Sequence, residues 1–350
     1  MRSRGIKATA TLAVVTAVVV ALAGCGRPGV EPVIWLPKTG QTVSYATGDD
    51  GDLQMGIDWP SPRFTDNSDG TITDNLTGLM WDQSGVTATN YWAEDLAAVA
   101  GLSLGGHNDW RVPNDVELRT LWNAGQVDLA AWLNSAGFDA VDTSSYYTSS
   151  TVAALTSYAW APVLSNGTGY GAAKTVTQRL VIAVRGVSAG AAVQPARTGQ
   201  TATYASGDDG DLEMGVAWPN PRFVDNEDGT VTDLLTGLVW EQDASRSATW
   251  GAALSDANTM TLAGYDDWRM PNVLELMSIV NVGQAASYTW LNANGFTGFQ
   301  TGDYWTSTTY APDTAYAWQV SFSDGDRPQS GTNKSDAAPT IAVRGPDATP

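Results

Sequence analysis

Arg63-Phe64-Thr65-Asp66-Asn67-Ser68-Asp69-Gly70-Thr71-Ile72-Thr73-Asp74 recurs as Arg222-Phe223-Val224-Asp225-Asn226-Glu227-Asp228-Gly229-Thr230-Val231-Thr232-Asp233. In each copy, β-branched and aromatic residues flank an Asp-Gly pair, a strong local signal for two strands joined by a tight turn. Working outward, Leu76-Thr77-Gly78-Leu79 matches Leu235-Thr236-Gly237-Leu238. Asp109-Trp110-Arg111 matches Asp267-Trp268-Arg269, and Trp132-Leu133-Asn134 matches Trp290-Leu291-Asn292. Both copies close on Ile-Ala-Val-Arg-Gly, at 182–186 and 341–345. A repeat of this length is a whole domain rather than a solenoid unit.

The expected architecture is therefore two tandem domains at 37–186 and 195–346, with a small-residue linker at 187–194. Leu79-Met80-Trp81 continues the hairpin as a buried strand. A helix starts near Trp92, with its counterpart near Trp250. Asn114 with Glu117, and Asn272 with Glu275, place a helix N-cap and its reciprocal partner three residues on. Strands are expected around 146–150, 158–163 and 180–185. Strands, two helices, then more strands describe an α+β domain with a mostly antiparallel sheet and long loops.

The first 24 residues read as an export leader. Arg2, Arg4 and Lys7 precede an apolar stretch too short for a stable span, and Leu22-Ala23-Gly24-Cys25 ends it. This resembles the lipobox of bacterial lipoproteins, in which the cysteine is acylated; residues 25–36 then form a lipidated tether and the membrane is the first partner. Gly26, where an Asp would resemble an inner-membrane retention signal, leans toward the outer membrane or cell surface. Cys25 is the only cysteine, so disulfides and thiolate metal clusters are excluded. The net charge of −19 excludes nucleic acid as a partner by repulsion.

Acidic surfaces do suit hard cations. Asp49, Asp50 and Asp52, and Asp208, Asp209 and Asp211, pack between glycines and are candidate Ca²⁺ ligands; a solvated acidic turn is the other reading, since the spacing is not that of an EF-hand. Six tryptophan pairs match between the copies and read as core anchors. Tyr147 and Trp305 differ within otherwise similar Tyr-aromatic-Thr-Ser segments and are candidate exposed rings for stacking a sugar. Arg111 and Arg269 are candidate anchors for an acidic sugar, or else structural partners of carboxylates. The only histidine, His107, aligns with Tyr265, so no histidine-based triad or zinc site is common to both copies. A carboxylate-pair glycan hydrolase would draw on Asp109/Asp267 and Glu117/Glu275; helix capping is the simpler role for the glutamates, so the chain reads as a non-enzyme.

Arg-Phe-x-Asp-Asn-x-Asp-Gly-Thr-x-Thr-Asp, Leu-Thr-Gly-Leu-x-Trp, Asp-Trp-Arg-x-Pro-Asn-x-x-Glu-Leu, Tyr-aromatic-Thr-Ser and a final Val-Arg-Gly together resemble the Lcl C-terminal domain family, over essentially the whole of both repeats. The resemblance implies two tandem C-type lectin-like domains, similar in fold also to the formylglycine-generating group, and a cell-surface role of the kind shown by an adhesin that binds sulfated glycans. The acidity of this chain fits a neutral glycan, or a cation bridge, better than a polyanion. The expected function is a non-catalytic, adhesin-like binding module for glycan or an envelope ligand. The alternatives are an assembly lipoprotein that holds other envelope proteins and, behind it, the hydrolase.

Overall fold

Each repeated hairpin seeds a four-stranded antiparallel sheet in the computed structural model, which describes residues 33–177, 179–186, 190–323 and 332–345. The leader and Cys25 lie outside the described residues. In the first repeat, Phe64–Asp66, Thr71–Asp74, Met80–Asp82 and Val184–Arg185 lie in that order; Phe223–Asp225, Thr230–Asp233, Val239–Glu241 and Val343–Arg344 repeat it. The register puts Ile72 opposite Trp81, and Trp81 opposite Val184, so three wholly buried side chains cross one face. Val231, Trp240 and Val343 form the same row in the second repeat. The last strand comes from the far end of each repeat, so the sheet closes the domain over everything between. Mixed short helices and antiparallel sheets make each domain α+β.

The turn residues act as the sequence suggests. Asp66 and Asp69 accept the backbone N–H groups of Ser68 and Thr71, and Gly70 takes a φ of 84°. Asn114 and Glu117 form the reciprocal cap of helix Asp115–Arg119, and Asn272 and Glu275 that of Val273–Ser278. Helix Trp92–Ala100 buries Trp92, Leu96 and Val99 along one face.

Two expectations need correction. Among the described residues each repeat has four short helices rather than two. The additional ones are Leu129–Ser135 with Ser287–Ala293, and the single turns Asp50–Leu53 with Asp209–Leu212. They are too short to show a periodic stripe; three of them carry a side-chain cap, Asp128 accepting from Ala131 N, Asp49 from Asp52 N and Asp208 from Asp211 N, whereas Ser287–Ala293 starts at Ala286 without one. Residues 146–150 form only isolated bridges around them in the first repeat, whereas the equivalent Asp303–Thr309 is a strand paired with Ala317–Ser321.

The two domains do not hang separately on a linker. Of residues 187–194, the first three lie outside the described ones; Val193 is buried and donates its N–H to Leu76 O of the first repeat. One hydrophobic cluster contains Leu118, Leu121 and Trp122 together with Leu276, Val280 and Trp318, and the rings of Trp122 and Trp318 meet edge to face at 4.8 Å. The arm preceding each hairpin crosses to the other repeat. Gln41 exchanges two hydrogen bonds with the backbone of Thr309 (2.8 and 2.9 Å), and Gln200 does the same with Thr151. Asp50 accepts from Thr39 at 2.6 Å and from Thr308 at 2.7 Å; Asp209 accepts from Thr198 and Ser150, both at 2.6 Å. Lys174 sits 3.8 Å from the ring centre of its own Trp92 and 5.0 Å from that of Tyr204 across the boundary; Lys334, Trp250 and Tyr45 repeat this. The hydrogen bonds and cation contacts of the two arms mirror one another, as in a twofold self-complementary interface.

Burial pushes the carboxyls of Asp50 and Asp209 up to about 7. Such a group holds a proton in the folded state that the unfolded chain has already released. Its contribution is complete below the ordinary carboxylate range and is lost as pH rises toward 7, at about 1.4 kcal/mol per pH unit for each group. Asp109 and Asp267, held low by Arg185 and Arg344, lose stability only in stronger acid, and Lys174 and Lys334, lowered by burial to about 8, act above this window. The melting temperature is expected to fall between pH 5 and pH 7.5, and Asp50→Asn with Asp209→Asn to flatten that fall. Equal slopes in the two proteins, read by differential scanning fluorimetry, would assign the effect elsewhere.

Candidate functional site

Where the arms cross, their first residues and the capped helices of both repeats line an open cleft. Four indoles line it: Trp35 and Trp59 from the first arm and its end, Trp122 after helix Asp115–Arg119, and Trp218 from the second arm. Leu274 and Met277 of helix Val273–Ser278 complete an apolar wall. Trp59 and Trp218 are held rigidly. Their ring nitrogens donate to the carbonyls of Lys38 and Arg197, at 2.9 and 2.8 Å. Arg63 and Arg222 lie over their rings at 4.5 and 4.4 Å, and Trp132 and Trp290 pack beside them, each at 5.7 Å between centroids.

Four cations also line the cleft, and each has its own carboxylate. Lys38 pairs with Asp58 at 2.6 Å, Arg63 with Asp74 at 2.7 Å, Arg119 with Asp115 at 3.0 Å, and Arg197 with Glu213. The walls are thus electrically balanced although the whole chain is strongly acidic.

The sequence-predicted site residues are elsewhere. Tyr147 and Trp305, expected as exposed stacking rings, are wholly buried, which overturns that expectation. Each finds a different internal acceptor: the Tyr147 hydroxyl donates to the carbonyls of Ala173 and Val176, and the Trp305 ring N–H to that of Ala248. The difference between the copies is an exchange inside the core. Arg111 and Arg269 take the structural role. Arg111 grips Glu117 through both terminal nitrogens at 2.5 and 2.6 Å, and Arg269 grips Glu275 likewise at 2.6 Å. Asp109 and Asp267 are bound by Arg185 and Arg344, so each of the four carboxylates considered for hydrolysis is held by an arginine.

The acidic loops are capped helical turns rather than ion cradles. Asp49 accepts from the N–H groups of Tyr45, Ala46 and Asp52, and Asp52 from that of Gly48. Asp50 points away from both, into the boundary between repeats. Asp208, Asp209 and Asp211 repeat the arrangement. Gly51 is required by close packing, since a Cβ there would lie 2.0 Å from Val43 O. Among the described residues no group of three or more His, Cys, Asp or Glu side chains is placed to hold a metal ion. Millimolar Ca²⁺ is accordingly expected to leave the melting temperature unchanged; a rise abolished by Asp49→Asn would reverse that assignment.

The cleft was not read from the sequence, although a signal existed. Trp35 and Trp122 align with Gln194 and Val280, so they are tryptophans that one repeat has and the other lacks. With the paired Trp59 and Trp218, these two unpaired rings line the space between the copies.

The profile of the Lcl C-terminal domain matches residues 70–185 and 229–344, more than half of the chain. No curated protein matches it. The crossing arms and the first strand of each hairpin precede both matched regions, which hold the second hairpin strand, the capped helices and the closing strand.

Proposed function

The chain belongs to the Lcl C-terminal domain family, in two tandem copies, and on that premise we propose that it is a non-catalytic binding protein of the cell envelope, anchored by lipid on Cys25, with its ligand seated in the cleft between the copies. The observation that carries this reading is a concave, aromatic-lined space built by both repeats, the usual form of a ligand site. The arginine-bound state of Asp109, Asp267, Glu117 and Glu275 supports binding over hydrolysis. The family's adhesin suggests a glycan, but the indoles of this cleft, with Leu274 and Met277, offer mainly carbon surface, so a largely apolar envelope ligand fits it best.

The test has two arms. Cys25→Ser should move the protein from the membrane fraction to the soluble one. The fragment from residue 26 onward, applied to immobilised envelope components with a glycan array beside them, should bind an envelope component, and Ala196→Trp, which fills the cleft, should abolish that binding. No binding on either support would remove the proposal. A second reading, an assembly lipoprotein, draws on the exposed pairs Tyr45/Tyr204 and Leu53/Leu212 on the arms. Crosslinking in cells that survives Ala196→Trp would favour it.

A further inference from the structure

We infer that the cleft between the repeats takes an uncharged hydrocarbon group, such as the ring or short chain of a small apolar molecule, rather than an ionised or heavily hydroxylated ligand. This rests on the reading of the cleft as a binding site and narrows its occupant.

The polar inventory of the walls decides the class. Lys38, Arg63, Arg119 and Arg197 are paired with Asp58, Asp74, Asp115 and Glu213 in turn, although Arg63 Nη1 and Arg197 Nε are buried without a hydrogen-bond partner and do not reach the open space. An anionic ligand would have to compete with these carboxylates, two of which, Asp74 and Asp115, are almost wholly buried. Breaking a buried pair costs several kcal/mol, because one charge is left uncompensated. A cationic ligand meets four positive side chains at the wall. A sugar needs hydrogen-bond partners for its hydroxyls, and several donors at the wall are already committed: the ring nitrogens of Trp59 and Trp218 donate to Lys38 O and Arg197 O, and Arg63 Nε and Nη2 donate to Asp74 and to Thr120 O. A hydroxyl buried without a partner is penalised by lost hydration. What the walls do offer is carbon surface, from the indoles with Leu274 and Met277. Burying an apolar group there is favoured because carbon surface leaves water on both sides of the contact.

The geometry also favours one ligand per molecule. The cleft lies between two equivalent arms and is lined by corresponding residues of both, Trp59 with Trp218 and Lys38 with Arg197, so it is a single site shared by the repeats.

The probe is N-phenyl-1-naphthylamine, a neutral diarylamine whose fluorescence rises in apolar surroundings, titrated into the fragment from residue 26 onward. Saturable binding at one site per chain is expected, with decanol displacing the probe and glucose or dextran sulfate leaving it in place. Ala196→Trp should weaken binding at least tenfold while keeping the melting temperature within a few degrees. Sedimentation at the same concentrations separates the other occupant. Concentration-dependent dimers that vanish in Ala196→Trp, with no saturable probe binding, would show that a second copy covers the cleft and would overturn the inference. Probe binding unchanged by Ala196→Trp, or displacement by the charged or sugar competitors but not by decanol, would overturn it as well. A failed glycan and envelope screen removes the wider functional proposal and leaves the probe measurement standing on its own.

Discussion

Expressed separately, residues 33–186 and 190–345 are each expected to lack a cooperative melting transition, and mixing the two is expected to restore one. Each fragment would expose its side of a shared core, including the contact of Trp122 with Trp318. A large apolar side chain returned to water forfeits about 1.5–3 kcal/mol, and several are lost at once from a total stability of only about 5–15 kcal/mol. The arms compound the loss. Gln41 would lose both partners on Thr309, and Asp50 one of its two hydroxyl donors. Near-ultraviolet circular dichroism and calorimetry of each fragment, alone and mixed, provide the check. A fragment that melts sharply by itself would show that the arms decorate two independent domains.

The second large effect is expected at Arg111. Replacing it with Met keeps most of the apolar stem but strands Glu117, which is 2% exposed, among buried groups. Removing one partner of a buried pair costs about 3–5 kcal/mol, equivalent to a fall of roughly 10 °C in melting temperature for a body of this size. Adding Glu117→Gln removes the stranded charge and should recover a substantial part, because the amide can still accept at the helix cap where Asn114 N donates to Glu117 Oε2. The same pair of substitutions at Arg269 and Glu275 should give matching numbers. A single Arg111→Met that is neutral, or a double variant no better than the single, would mean that the glutamate is solvated or protonated rather than charged and buried.

Local rules were sufficient for the parts of the fold whose physics is local. The Asp69-Gly70 turn, the Asn114–Glu117 reciprocal cap and the apolar face of Trp92–Ala100 each lie within a few residues, and each took the expected form. The misreadings came where long-range contacts decide. Asp49, Asp50 and Asp52 look alike in the sequence, yet Asp49 caps a helical turn while Asp50 joins a hydroxyl from 258 residues away. Tyr147 and Trp305 looked like a surface variation because they differ between copies, but a core can differ too when each ring finds its own carbonyl. The cleft was hidden for the same reason. It belongs to neither repeat, and the repeat pattern that revealed the domains directed attention to what they share rather than to Trp35 and Trp122, which they do not.

That two family domains act as one body, clasped by exchanged arms over a common cleft, is most directly tested by calorimetry of the intact fragment from residue 26 onward. A single transition whose calorimetric and van 't Hoff enthalpies agree is the predicted result. Two separable transitions, one for each repeat, would contradict it.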